Sequence, residues 1–294
     1  MPERRIAVVT DSTSSLTAQE ATEHEIVVVP LQVIIGATSY DEGVDEGASP
    51  AMVAAALKSF TPVTTSRPNP AAMLAVYADL AEQGYDEIVA LHLSGAMSGT
   101  FESADLAARE APVPVHTVDT RQVGPAVGYA AIAAAEAVTA GASGEKAAKV
   151  GLERALSSTS LFYVDTLEYL RRGGRVGSAA AFFGGALAVK PLLRIEDGRI
   201  ESFEKVRTAG KALARLEDLA VEAAATEPVD LTVAHLSSPE RAGQLAERLA
   251  ARVDAASPIR TVELGAVLGA HVGPGMVAVC VTPAIRTASI APEH

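Results

Sequence analysis

Apolar residues along the chain fall into short runs that alternate with stretches of helical spacing. Residues 5–10 (RIAVVT) form a β-branched run ending in Asp11-Ser-Thr-Ser-Ser15, which reads as a strand followed by a polar loop or helix cap. A second apolar run covers 26–35 and is interrupted by Pro30; 40–47 is acidic and turn-rich, and 52–57 is helical in pattern. Met73, Val76, Tyr77 and Leu80 share one helical face, and Gly84 supplies a stop. Residues 87–93 and 113–118 predict two more strands, each followed by a polar turn and a helix. Strand-helix alternation of this kind predicts a parallel α/β layer in the N-terminal half. Polar turns after such strands gather at the carboxyl edge of the sheet, where ligands bind. Four loops qualify: 11–15, 64–67, 94–100 and 119–124.

The second half has a different grammar. A Gly/Ser/Ala segment at 141–145 suggests a boundary, so the expected domains are 1–150 and 151–294. Asp197-Gly198 lies between the apolar runs 192–195 and 200–206, a strong hairpin signal. Antiparallel pairing there predicts a mixed sheet, completed by a helix at 211–225, strands at 231–236 and 259–264, a helix at 239–253 and a last strand at 277–281. The expected fold class is therefore two-domain α/β, with a parallel sheet in the N-terminal domain and a mixed sheet in the C-terminal one.

Composition narrows the partners. The formal net charge of −12 would repel phosphate backbones, and aromatics are only 4% with no Trp, so a nucleic-acid binder is disfavoured. The single cysteine, Cys280, allows no internal disulfide framework and fits a reducing cytoplasm. The strand pattern begins at Arg5, which leaves no room for a signal peptide. Residues 264–285 lack Asp, Glu, Lys and Arg over a membrane-spanning length, but His271-Val-Gly-Pro-Gly275 breaks the run. A soluble, cytoplasmic protein without an integral membrane segment is expected.

Several polar features could carry chemistry. The Ser94–Thr100 loop sits between a strand and a helix, where backbone N–H groups can meet an anion; an ordinary N-cap reads the same way. It is not G-x-S-x-G, so a nucleophile elbow is unsupported. Thr64-Thr65-Ser66-Arg67 could hold a carboxylate on hydroxyls or be a polar turn ahead of Pro68. His271 lies in an apolar strand-to-loop region beside glycines that permit close backbone approach, and either a catalytic or a satisfied structural role fits it. His92 reads as a strand residue. Arg171, Arg172 and Arg175 crowd around Gly173-Gly174 and could dock an acidic partner or a phosphate or form a solvated helix end, where the dipole favours cations. No His or carboxylate pair has metal spacing, and no Walker A or opening G-x-G-x-x-G occurs, so neither metal nor nucleotide cofactor is expected.

Taken in order, VVTDSTSSL (8–16), TTSRP (64–68), LSGAMSGTFESA (93–104), VDT (118–120), LEYLRRGGRVGSAAAFFGGALAVKPLLRIEDGRI (167–200) and HVGPG (271–275) resemble the DegV family of bacterial fatty-acid-binding proteins along essentially the whole chain. The resemblance implies two α/β domains with one long-chain fatty acid in a buried tunnel between them. It implies a carrier rather than an enzyme, by default a monomer, that presents the fatty-acid carboxylate to a separate fatty acid kinase. The acyl phosphate so formed feeds phospholipid synthesis. The implied carboxylate contacts are Thr65, Ser66, Ser94, the backbone of Gly95, and His271. Arg175, with Arg171 and Arg172, would frame the pocket mouth or meet the kinase. The apolar helix expected at 179–188, with Phe182 and Phe183, would flank the acyl chain or simply fill the core. Three departures bear on head-group geometry. Gly95 stands where relatives often have a second serine, Arg67 replaces a commoner glutamine, and Gly124 lies where an alanine–serine pair is usual. The competing reading is an acyl hydrolase or transferase using Ser94 or Ser98 with His271, although no acidic partner for His271 is evident.

Overall fold

The computed structural model describes residues 4–182, 190–224 and 227–284, without the side chains of 180–182. In chain order the elements begin with β1 (Ile6–Asp11), α1 (Ala18–Glu23) and β2 (Ile26–Val29). An excursion follows through β3 (Gln32–Ile35), β4 (Thr38–Asp41), α2 (Pro50–Lys58) and β5 (Val63–Ser66). The chain continues with α3 (Pro70–Glu82), β6 (Glu87–His92), α4 (Thr100–Ala108), β7 (Val115–Asp119), α5 (Pro125–Thr139) and α6 (Gly144–Leu156). The remainder holds β8 (Thr159–Tyr163), α7 (Glu168–Arg172), β9 (Lys190–Glu196), β10 (Arg199–Val206), α8 (Ala209–Ala223), β11 (Val229–His235), α9 (Pro239–Ala250), β12 (Arg260–Glu263), α10 (Ala266–Val272) and β13 (Val277–Pro283).

By their contacts these elements form two compact units that are not contiguous in sequence. Residues 4–31 and 66–157 make the first; residues 32–65 and 158–284 make the second. The division therefore differs from the expected cut at 150. The Gly/Ser segment at 141–145 is the turn between α5 and α6 together with the first residues of α6, and the two helices pack on each other. Their close approach follows from composition: α5 is alanine-rich and almost wholly buried, and a Cβ on Gly151 of α6 would meet the Ala130 carbonyl at 2.9 Å. The apolar run 26–35 is two strands, and Pro30 marks where the chain leaves the first unit's sheet for the second unit. Proline cannot donate to a central ladder.

The first unit has a four-stranded parallel sheet in the order β2-β1-β6-β7. Every residue of β6 is buried, as a central parallel strand covered on both faces requires. Val89 and Leu91 pack towards α5 and α6, while Ile88 and Ala90 pack with Met73, Tyr77 and Leu80 of α3 and with Ala104 and Ala107 of α4. The helical face predicted from Met73, Tyr77 and Leu80 is thus buried, with Val76 packed at its edge. Side chains alternate across β6, so His92 falls on the α3/α4 side.

The second unit has a six-stranded mixed sheet, β10-β9-β8-β13-β11-β12, and a three-stranded sheet, β4-β3-β5. Only β11–β12 pairs parallel in the larger sheet. The Asp197-Gly198 hairpin is present, with φ of +47° and +75°, the left-handed pair of a type I′ turn. The expected loop at 64–67 is in part a strand, since Thr64–Ser66 lie in β5; β-branched threonine suits a pleated surface. The acidic segment at 40–47 likewise contains the end of β4. His271 sits in the short helix α10 rather than in a strand or loop. Of the helix expected at 179–188, a 3₁₀ turn spans Gly177–Phe182. The rest, with the Phe182 and Phe183 side chains, lies outside the described residues.

Candidate functional site

In the second unit, Thr65 and His271 are 206 positions apart in sequence, yet Thr65 Oγ1 lies 2.8 Å from His271 Nε2. β5 carries the threonine and α10 carries the histidine. α10 is anchored from within its own unit: the buried Glu42 carboxylate accepts the Val267 N–H at 2.8 Å. A carboxylate is favoured at a helix start, where N–H groups lack intrahelical partners. Glycine at 265 is required there, because a Cβ would stand 2.2 Å from Glu42 Oε1. Val33, Val53 and Leu57 pack with Ala266 and Ala270 and hold the helix from its apolar side.

His271 is neutral at ordinary pH. Burial pushes its pKa down to about 4, and the Arg175 charge adds to the shift. Its Nδ1 is buried and has no hydrogen-bond partner among the described residues. Gly173 lies on that side, and a Cβ there would sit 2.1 Å from Nδ1. Arg175 reaches the same place by donating to the Gly173 carbonyl. Thr65 Oγ1 and His271 Nε2 share a hydrogen bond whose donor is set by the imidazole tautomer.

This geometry also explains two glycine-rich motifs. In HVGPG, Gly273 has φ of +73° and would carry a Cβ 2.0 Å from the Tyr169 ring; Gly275 has φ of +93° and lies as close to the Asp165 carboxylate. In the 171–175 elbow, Gly173 makes room for His271. Asp165 in turn accepts from the Tyr163 hydroxyl and from Arg241. Burial and the Asp165 bond raise the Tyr163 pKa well above its ordinary value.

The three elbow arginines are exposed, and two share one acidic partner. Arg171 holds Glu168 through two bonds of 2.9 and 2.7 Å, and Arg172 Nε adds one of 2.8 Å. These bonds pull the Glu168 pKa down to about 2. The cluster ends α7, where cations suit the helix dipole.

The first unit holds the other expected contacts. Ser94 is fully buried, and three successive N–H groups of its loop are taken internally. Leu93 N–H goes to Asp11 Oδ2 at 3.0 Å, Ser94 N–H to the Gln122 carbonyl at 2.8 Å, and Gly95 N–H to Asp119 Oδ1 at 3.1 Å. The Gly95 N–H expected to receive a ligand carboxylate thus already receives one from the chain. Ser94 Oγ accepts the Ala96 N–H at 3.2 Å. Asp11 is wholly buried and also binds His92 Nδ1 at 3.0 Å and the Thr13 hydroxyl at 2.5 Å. Ser98 pairs with Thr100 at 2.9 Å. Ser66 is half-buried, its hydroxyl turned to the Arg67 carbonyl at 3.3 Å. Arg67 is engaged by the Gly99 carbonyl at 2.8 Å and by Glu102 at 3.0 Å. Gly124 has φ of +67° and ψ of −142°, a region open essentially to glycine alone, and it leads into Pro125 at the start of α5.

The structure therefore brings Thr65 and His271 together and ties Gly173 and Arg175 to them. It places Ser66, Ser94 and Gly95 in the first unit. Sequence reasoning missed Asp11, Glu42 and Asp119. Two of these lie inside quoted motifs, but nothing in the motifs says which N–H each carboxylate takes. Among the described residues no group of three or more His, Cys, Asp or Glu side chains could hold a metal ion, and no helix is long and apolar enough to cross a membrane.

Fold and site define a two-unit α/β protein, one unit with a parallel sheet and the other with a mixed one, and the second unit sets a threonine of β5 against a neutral histidine of α10. The chain belongs to the DegV family: residues 5–284 match the family model described as "Uncharacterised protein, DegV family". It is 51% identical over 279 residues to a DegV domain-containing protein of Streptomyces coelicolor, covering 95% of this chain and 99% of that one. A solved DegV family protein of Thermus thermophilus, described by its fatty acid binding, superposes with a TM-score of 0.88 at 32% identity, covering 95% of this chain and 100% of that one. Bacillus subtilis DegV, described as a fatty acid binding protein, superposes at 0.86 and 33% identity, covering 96% and 100%.

Proposed function

We propose that this protein binds one long-chain fatty acid in an enclosed apolar tunnel and presents its carboxylate to a separate fatty acid kinase. The observation that carries the reading is the Thr65–His271 pair, with the imidazole held neutral. A buried carboxylate needs donors, and a hydroxyl supplies one without a second charge. The similarity to solved DegV proteins that bind fatty acids supports the same reading. Ser94 is proposed as a second hydroxyl contact and Ser66 as a subsidiary one. The exposed arginines of the 171–175 elbow are proposed to meet the kinase. Each buried methylene contributes about 0.8 kcal/mol. About a dozen therefore give on the order of 10 kcal/mol before association costs, so hydroxyl contacts need only orient the head group.

The chemistry proposed here is carriage, not turnover. The test is direct. Protein purified from cells is denatured and extracted, and the extract is analysed by mass spectrometry; stripped protein is then titrated with oleate. Fatty acid in the extract, binding by the stripped protein, and about tenfold weaker binding in Thr65→Val are expected. Stripped, folded protein without affinity for any long-chain fatty acid would refute the proposal. Hydrolysis of an acyl ester, lost in Ser94→Ala, would favour the hydrolase reading instead.

A further inference from the structure

We infer that Asp165 is a positioning residue for the Thr65–His271 pair, acting through an interlock between the segment 165–173 and the HVGPG turn. Its bearing on ligand binding rests on the proposed fatty-acid reading. Three contacts run along the two segments in opposite directions: Asp165 with Gly275, Tyr169 with Gly273, and Gly173 with His271. In each, a side chain fills the space that a Cβ on the facing glycine would need. The Asp165 carboxylate fills it at Gly275, the Tyr169 ring at Gly273 and the imidazole at Gly173. Tyr169 and Gly173 are one helical turn apart, and the Gly173 N–H bonds the Tyr169 carbonyl at 2.9 Å.

Asp165 is the fixed end of this interlock. Its carboxylate accepts the Tyr163 hydroxyl of β8. Arg241 Nη1 of α9 lies 3.4 Å from the same carboxylate and 3.4 Å from the Gly275 carbonyl. The main-chain carbonyl of Asp165 accepts Lys190 Nζ of β9 at 2.8 Å. Two strands of the larger sheet and one helix thus hold this residue against Gly275, whose own N–H bonds the Leu236 carbonyl at 2.9 Å. Tyr169 packs on the apolar cluster of Ala266 and Ala270, so the middle contact grips α10 directly. Gly173 and Arg175 then close the Nδ1 side of His271. Truncating Asp165 frees the start of the segment from HVGPG, lets water reach the imidazole and loosens its register against Thr65.

The test reads the imidazole and the lipid separately. Asp165→Ala leaves a gap at Gly275, whereas Asp165→Asn keeps the size and an oxygen for the Tyr163 hydroxyl. Protonation of His271 is followed by NMR on the full-length protein, its signals identified among the six histidines by their loss in His271→Gln. In Asp165→Ala the midpoint should rise by about one pH unit or more. Electrostatics alone has the opposite sign, because losing a negative charge lowers an imidazole pKa; a rise therefore reports opening of the enclosure. Stripped Asp165→Ala should also bind hexadecanoate more weakly, by up to the roughly tenfold expected of Thr65→Val. Asp165→Asn should restore both readouts to near the wild type. If Asp165→Ala does not fold, Tyr169→Leu, which shortens the contact at Gly273, should raise the midpoint in the same direction. An unchanged or lowered midpoint in the folded variant, an unchanged hexadecanoate affinity, or an Asn variant no better than Ala overturns the positioning role. A wild type that binds no hexadecanoate refutes the fatty-acid reading instead, and the His271 midpoint still decides the role of Asp165.

Discussion

Burial, with the Arg175 charge behind it, decides how His271 behaves. Its Nε2 is tied to Thr65 and its Nδ1 is enclosed beside Gly173, so a second proton has no favourable place. The folded-state pKa is about 4, against 6.5 for the ordinary side chain, with burial the larger cause and Arg175 the smaller. The sign follows from proton counting. Between these values the unfolded chain binds more protons than the folded one, so stability rises with pH. It is fully present above about 6.5 and is lost as pH falls towards 4, by roughly 3 kcal/mol at the limit. We predict that the urea midpoint of the wild type drops between pH 7 and about 4.5 by more than that of His271→Gln, which lacks the titrating group. Equal drops in the two proteins would remove His271 as the cause.

At the scale of elements, α10 is the case where local sequence says least. Its seven residues, Ala-Val-Leu-Gly-Ala-His-Val, include glycine and β-branched valines, both poor helix formers, and a helix this short is unstable alone. It forms because Glu42, 225 positions away, takes the Val267 N–H and because Val33, Val53 and Leu57 cover its apolar side. Glu42→Ala leaves a buried N–H without its acceptor, which costs about 1–3 kcal/mol. Glu42→Gln retains an oxygen and should recover at least half of that loss; chemical denaturation of both variants checks it. The same contrast explains what was legible. β6 reads from sequence because it is buried on both faces, and the β9–β10 hairpin reads because Asp-Gly fixes the turn. β4 and β5 do not, since Ser, Thr and Asp make a small sheet look like a loop. The Thr65–His271 and Asp119–Gly95 pairs join segments whose distance in sequence carries no information about their distance in space.

For the molecule as a whole, the division into units matters more than the position of the midpoint. The excursion 32–65 supplies β3, β4, β5 and α2 to the second unit. It brings Val33, Val53 and Leu57 to the apolar cluster around Ala266 and Ala270, and with Glu42 and Thr65 both partners of the α10 site. A fragment beginning at residue 151 keeps all six strands of the larger sheet but loses that cover. The buried faces of Ala266 and Ala270 would open to water, and the Val267 N–H would lose its acceptor. At about 25 cal/mol per Å² of exposed apolar surface, a few such side chains consume much of a domain's marginal stability. We predict that fragment 151–294 is aggregation-prone and shows poor amide dispersion. A single chain made by joining 32–65 through a flexible Gly/Ser linker to 158–284 should instead fold cooperatively. A well-dispersed spectrum from fragment 151–294, with α10 protected from hydrogen exchange, would show that the excursion is not integral to the second unit.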